Sequence, residues 1–249
     1  VSGQGRIFKI SAQQELLAVY ERPEIGILGE GYLYQPARLA VDKTGRMYVI
    51  ARNINQGFIQ LDATGNFQGF FGSPRVRPNP WELLLRYIST DEQISRTRQF
   101  VPTEYNGVDI DESGFLYAIT NSYNMSDIYT MIYSQRNVGG QSSTGQTEMF
   151  RRLNPAGADI TRRMGGFSPI GDLRLPNLAI PGSPVIPTEV LRGTEAVIGP
   201  SRFADVKVVQ DGVYMVLDQL RNRIFTYDYD GNLLFVFGGS GSRSGSFLS

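Results

Sequence analysis

Short runs of apolar residues alternating with polar ones, each four to seven residues long and closed by a glycine-bearing turn, recur from Arg6 to Gly239. A period of two predicts strands with one face buried, where a helix would show a period near 3.6. Between Ser201 and Gly239 four such runs follow one another: VKVV, VYMVLD, RIFTYD and LLFVFGG. Asp211-Gly212 joins the first two, and Tyr229-Asp230-Gly231 joins the last two. Aspartate–glycine between β-rich runs is a hairpin signal, because glycine supplies the positive φ that a right-twisting hairpin needs. The stretch therefore predicts one antiparallel sheet of four strands.

The rest of the chain repeats this unit. An offset of 166 carries Tyr48–Gly72 onto Tyr214–Gly238 without a gap, bringing Asp62 onto Asp228, Gly65 onto Gly231 and Phe71 onto Phe237. An offset of 217 carries Arg6-Ile7-Phe8 onto Arg223-Ile224-Phe225, and one of 69 carries Asp42, Gly45 and Tyr48 onto Asp111, Gly114 and Tyr117. Repeated four-stranded units of this size predict a β-propeller, all-β, with antiparallel blades. Residues 1–20 supply the last two strands of a blade, and residues 36–72, 104–165 and 201–239 supply three complete ones. The second complete blade would run from VDID and FLYAIT to FRRLN and DITRRM. Residues 1–249 thus read as a single propeller segment of about three and a half blades, an incomplete ring. Propellers close to protect their sheet edges. The open ends are therefore expected to meet remaining blades of a longer chain, or a partner sheet.

Three segments interrupt the repeat: 73–103, 123–149 and 166–200. In an up-and-down blade, the crossing to the next blade and the loop between second and third strands open on one face. All three are expected there, with only short turns on the other. In the first, Asn79 caps Pro80, and Trp81, Leu84, Leu85 and Ile88 form a helical stripe, which predicts a small helical insertion. A capping-box pattern, Ser89-Thr90-Asp91-Glu92, predicts a second helix after it. The second insertion interleaves Tyr123, Tyr129 and Tyr133 with Ser, Asn, Gln and Gly, a mixture suited to carbohydrate or peptide contacts. The third is proline-rich and hence extended.

Composition narrows the chemistry. The chain has neither cysteine nor histidine, which removes disulfides, thiolate nucleophiles, Ser-His-Asp catalysis and histidine-ligated zinc. Lysines and arginines number 24 and acids 24, so no net charge attracts a polyanion. The local basic pairs Arg151-Arg152 and Arg162-Arg163 do not alter that balance, and nucleic acid is not expected as a partner. No run reaches the roughly 18 apolar residues of a membrane span.

The repeat resembles the NHL family of β-propellers in its valine–aspartate strand, its glycine turn, its Asp218…Arg223-Ile224 segment and its Asp-x-x-Gly turn before a strand ending Phe-Gly. That resemblance implies a fold and no reaction. Propeller lyases that resemble this repeat use histidine, which this chain lacks. The more distant resemblance to gluconolactonase-like propellers implies calcium held over the channel by Glu, Asn and Asp, hard oxygen ligands of the kind calcium takes. Glu104 at the mouth of a first strand, with Asn121 and Asp218 at the ends of second strands, would be those ligands. Arg52, at the equivalent end of its own strand, would set a cation beside any such metal. Asp218 has a simpler reading as a loop-capping aspartate.

The function expected from these features is a non-catalytic binding or scaffold module without a cofactor, extracellular or in the cell envelope. Its elaborated face, lined by Arg52, Glu104, Asn121, Tyr123 and Asp218, would meet a protein, peptide or carbohydrate. The alternative is a calcium-dependent gluconolactonase-like hydrolase.

Overall fold

The computed structural model describes residues 5–29, 31–52, 54, 56–72, 105–120, 149–161, 171, 201–242 and 244–247. These residues form four antiparallel sheets and, apart from a three-residue 3-10 turn at Gly26–Leu28, no helix. The first sheet is β1 (Ile7–Ile10) and β2 (Leu16–Tyr20). The second runs in sequence order through β3 (Pro36–Val41), β4 (Met47–Ala51), β5 (Phe58–Leu61) and β6 (Phe67–Phe71). The third holds β7 (Tyr105–Ile110), β8 (Leu116–Thr120) and β9 (Phe150–Leu153). The fourth holds β10 (Phe203–Val208), β11 (Tyr214–Asp218), β12 (Arg223–Tyr227) and β13 (Leu233–Gly238). The fourth strand expected from DITRRM shows a bridge of Asp159 to Leu153, and Arg162, Arg163 and Met164 lie outside the described residues. So do the helix expected from Asn79 and almost all of the three insertions.

One turn chemistry joins most of these strands. In the turn that begins at Asp42, the Oδ1 of that residue accepts the N–H of Thr44 at 2.8 Å and of Arg46 at 3.0 Å. Asp62, Asp111 and Asp228 repeat the pattern, each accepting the N–H groups two and four residues on. Asn154 does the same without a charge. Short polar side chains of this kind mimic a backbone turn, and the glycine three residues on supplies the left-handed conformation, as at Gly65 with φ 93°. Between β1 and β2 the sequence hides the same turn: Ser11 Oγ accepts Glu15 N–H at 3.0 Å, and Gln14 takes the glycine's place at φ 67°. The Asp211-Gly212 hairpin is the predicted one, with both residues at positive φ.

Bulges repeat as faithfully as turns. The first strand of each larger sheet shifts register at the same place, between Pro36 and Arg38, Tyr105 and Gly107, and Phe203 and Asp205. The last hairpins shift at Lys9/Ile10, Gln60/Leu61 and Thr226/Tyr227, matching the offsets of 217 and 166. The gapless alignment of Tyr48 with Tyr214 does not survive, however. Tyr214 pairs with Tyr227, whereas Tyr48 pairs with Gln60 and it is Met47 that faces Leu61. The β4-to-β5 connection is one residue longer than its counterpart, so β3 and β4 follow an offset of 167. A slip of one residue moves a side chain to the other face of its sheet. Tyr48 accordingly packs toward the third sheet with Tyr105 and Leu116, while Tyr214 packs back toward it with Tyr117 and Phe150.

Three apolar layers lie between the four sheets, in chain order. Ile7, Met47, Val49, Ala51, Ile59 and Leu61 fill the first, and Tyr48, Ile50, Phe58, Val108, Leu116 and Ala118 are in the second. Tyr117, Ile119, Phe150, Phe203, Val216 and Phe225 belong to the third. Strand β4 alternates between the first and second layers and β8 between the second and third, so all five residues of each are buried. This is why MYVIA and LYAIT are nearly unbroken apolar runs, as expected for strands covered on both faces.

Candidate functional site

Asp218 ends β11 with its carboxylate wholly buried, and every hydrogen bond it accepts comes from its own surroundings. Ser201 Oγ–H donates to Oδ2 at 2.7 Å and Arg221 Nη1 at 3.3 Å. The N–H groups of Arg202 and Leu220 donate to Oδ1 at 3.0 and 2.9 Å. A buried carboxylate needs such partners, since an unpaired one would be strongly destabilised. Asp218 therefore welds the β11–β12 loop to the entry of β10, the loop-capping alternative. Sequence spacing could have shown Arg221, three residues on. Ser201, 17 residues back, becomes a partner only through the pairing of β10 with β11.

Arg52 does not share that environment. Its N–H donates to Gln35 O at 2.9 Å, as Gln219 N–H donates to Arg202 O at 2.9 Å, so Arg52 corresponds to Gln219. Ala51 and Thr120 stand where Asp218 stands, and Arg52 is exposed. Glu104, Asn121 and Tyr123 lie outside the described residues. Among the described residues no three acids are grouped so as to hold a metal.

Two other polar features sit at the joints between sheets. The Arg152 guanidinium, 2% exposed, lies 3.7 Å from the centre of the Tyr229 ring and 5.9 Å from that of Tyr117, and donates to Tyr229 O at 2.9 Å. Cation–π contact of this kind is strongest where water is excluded. Burial pushes the Tyr117 hydroxyl up to about 12 against the opposing pull of Arg152, so it stays a neutral donor at physiological pH. The second is Asp109 on β7, whose Oδ2 accepts Val208 N–H at 2.8 Å and Lys207 Nζ at 2.9 Å, tying β7 to β10. Sequence patterning gave no sign of either. A polar cleft of about 470 Å³ opens between the end of β2 and the β5–β6 turn, lined by Glu21, Arg22, Glu24 and Asn66 among others. Neither Arg52 nor Asp218 lines it.

No protein-family model matches the chain, and no curated protein does. Among solved structures, one that resembles it is a protein of unknown function from Bacteroides caccae, with a TM-score of 0.44 and 12% identity over 97% of this chain. Another is a gluconolactonase from Xanthomonas campestris important in glucose secondary metabolic pathways, with a TM-score of 0.28 and 14% identity over 79% of this chain. The chain spans 57% of the length of the first and 59% of the second.

Proposed function

We propose that the chain is part of an NHL-like β-propeller, its sheets set as blades about an axis, acting as a non-catalytic binding module outside the cell or in its envelope. Parallel neighbouring first strands support the radial arrangement. Asn106 Nδ2 donates to Phe203 O at 2.7 Å and Asp109 reaches Val208 N–H, so β7 and β10 run side by side in one direction. Lys43 meets Glu112 at 3.3 Å, so the short turns of the second and third sheets share a face. Strand β6 ends at Phe71 and β8 at Thr120, and β7 begins at Tyr105 and β9 at Phe150, all at the strand ends opposite those turns. Long segments between rigid strand ends are where binding surfaces are usually built.

The observation that carries this reading over the calcium-dependent one is the state of Asp218. Both its oxygens are engaged by four donors, one of them the Arg221 cation, so a metal would have to displace a guanidinium and a hydroxyl. The ligand surface proposed is the one the sequence assigns to Arg52, Glu104, Asn121 and Tyr123, and Asp218 holds the β11–β12 loop to the entry of β10. Its partner is a protein, peptide or carbohydrate, met by an exposed arginine and a tyrosine-rich segment. Thermal unfolding with and without calcium tests the choice. The binding module predicts no calcium-specific rise in Tm, and a saturable rise would favour the hydrolase.

A further inference from the structure

The chain carries no net charge, yet the two ends of its first hairpins differ in sign. The turns joining β3 to β4, β7 to β8 and β10 to β11 carry Asp42, Asp111, Glu112 and Asp211. The cations among them, Arg46 and Lys43, are held by Asp42 at 2.7 Å and by Glu112 at 3.3 Å. At the opposite ends of the same strands, the second and fourth sheets repeat one arrangement. Arg52 N–H donates to Gln35 O, and Gln219 N–H to Arg202 O, both at 2.9 Å. Each bond lies one step beyond the last paired residues, Pro36 with Ala51 and Phe203 with Asp218. Each sheet thus sets a glutamine across from an arginine, in exchanged order. Arg52, Arg202 and Gln219 are exposed, and Gln35 is half-buried. Among the described residues no group bonds or pairs with either guanidinium. By contrast Arg6, ahead of β1, is paired with Glu21 at 2.8 Å, and Arg221, ahead of β12, with Asp218 at 3.3 Å. Arg38 on β3 adds a further exposed cation; its counterpart on β10 is Asp205, whose Oδ1 accepts the N–H of Val206 at 3.0 Å.

We propose that this end of the molecule takes an acidic peptide segment: Arg52 and Arg202 hold its carboxylates, and Gln35 and Gln219 bond the adjoining backbone. A guanidinium fork meets a carboxylate through two parallel hydrogen bonds. A glutamine amide offers one acceptor and two donors, which match the N–H and C=O of a peptide unit. A uronic-acid saccharide also presents carboxylates, but it has no amide repeat for the two glutamines. The turns bearing Asp42, Asp111 and Asp211 repel the same segment, so its approach is steered to the arginine end. The inference rests on the binding-module reading above and narrows its partner to a peptide rich in aspartate or glutamate.

Fluorescence anisotropy of a labelled glutamate-rich peptide titrated with the full chain tests it, with the same peptide carrying glutamine for glutamate as the neutral control. The acidic peptide is expected to bind saturably and more weakly as salt rises, and the neutral one not at all. Arg52→Glu and Arg202→Glu should each weaken binding by about tenfold. Lys43→Glu, the same change of charge among the turns, should leave it unaltered. Arg52→Lys keeps the charge and loses the fork, and should weaken binding a few-fold. Circular dichroism melting confirms that the variants fold, and Arg52→Ala and Arg202→Ala replace any glutamate variant that does not. An acidic peptide that shows no saturable binding overturns the proposal. So does binding that Lys43→Glu weakens as much as Arg52→Glu does. Polygalacturonate that competes as well as unlabelled peptide overturns the peptide class and leaves the binding face standing, whereas the binding-module reading itself fails on a calcium-specific rise in Tm.

Discussion

The second and fourth sheets are built from the same four-strand unit and meet different surroundings. In the second, β4 and β5 are covered on both sides, and the strand end at Ala51 is a plain alanine. In the fourth, one face is covered and the other only partly so, and the equivalent strand end carries the buried Asp218. The apolar pattern is the same in both, so pattern alone does not tell a strand buried on both faces from one buried on one. Strands β6 and β13 show the difference at an edge. FQGFF breaks its run with Gln68 and Gly69, whereas LLFVF leaves five consecutive apolar residues exposed. Natural edges are usually blunted by polar residues or glycine, and β13 is not.

The comparison can be broken at graded strength. Phe58→Ala, in the doubly covered sheet, should lower unfolding free energy by about 3–5 kcal/mol in a denaturant titration. Phe237→Ala, its cross-strand counterpart's equivalent in the fourth sheet, should cost no more than about 1 kcal/mol. Asp218→Ala removes the acceptor shared by the Arg221 guanidinium, the Ser201 hydroxyl and two N–H groups, and should cost about 3 kcal/mol. Arg52→Ala, at the exposed end of β4, should change stability by under about 0.5 kcal/mol. Gly107→Val adds a side chain whose first carbon would already lie 2.7 Å from Ile119 and 3.1 Å from the Asp205 backbone. A loss of about 2 kcal/mol is expected, while Arg38→Val at the equivalent exposed position should be nearly neutral.

The smallest effect concerns charge in the turns. Hydrogen bonds from Thr64 and Asn66 hold the Asp62 carboxyl down at about 2, below its ordinary 3.8. Its contribution to stability is therefore complete above pH 3.8 and lost as pH falls toward 2. In Asp42, burial pushes the carboxyl up but is outweighed by hydrogen bonds from Thr44 and Arg46, and the acid form is again disfavoured. Asp62→Asn should leave the turn intact, as Asn154 does in its own turn, and Tm near neutrality almost unchanged. Melting curves from pH 5 to about pH 2 should fall less steeply for the variant.

Much of the fold is legible in the sequence because each strand pair is closed by a local rule. Asp-x-x-Gly turns mark the hairpins, and MYVIA, LYAIT and RIFTY are strands where alternation places them. First strands begin three residues earlier than the apolar pattern indicates, since Pro36, Tyr105 and Phe203 lie beyond a bulge that interrupts the alternation. The slip at Tyr48 was hidden by a coincidence of residue type: two tyrosines align, yet a connection one residue longer puts them on opposite faces. The candidate site was legible only in part. Asp218 is identifiable as a cap from its loop, but its partner Ser201 depends on pairing between distant strands. The Arg152–Tyr229 contact joins two sheets and leaves no local trace.

The central claim is that consecutive sheets pack face to face with their short turns on one side, and a chain free of cysteine lends itself to a direct check. In a Lys43→Cys, Glu112→Cys double variant, the two thiols replace side chains that now meet at 3.3 Å. A short bismaleimide should link them within one molecule in high yield, and should link Lys43→Cys to Arg52→Cys, at the far end of β4, scarcely at all. Efficient linking of the second pair and none of the first would contradict the arrangement.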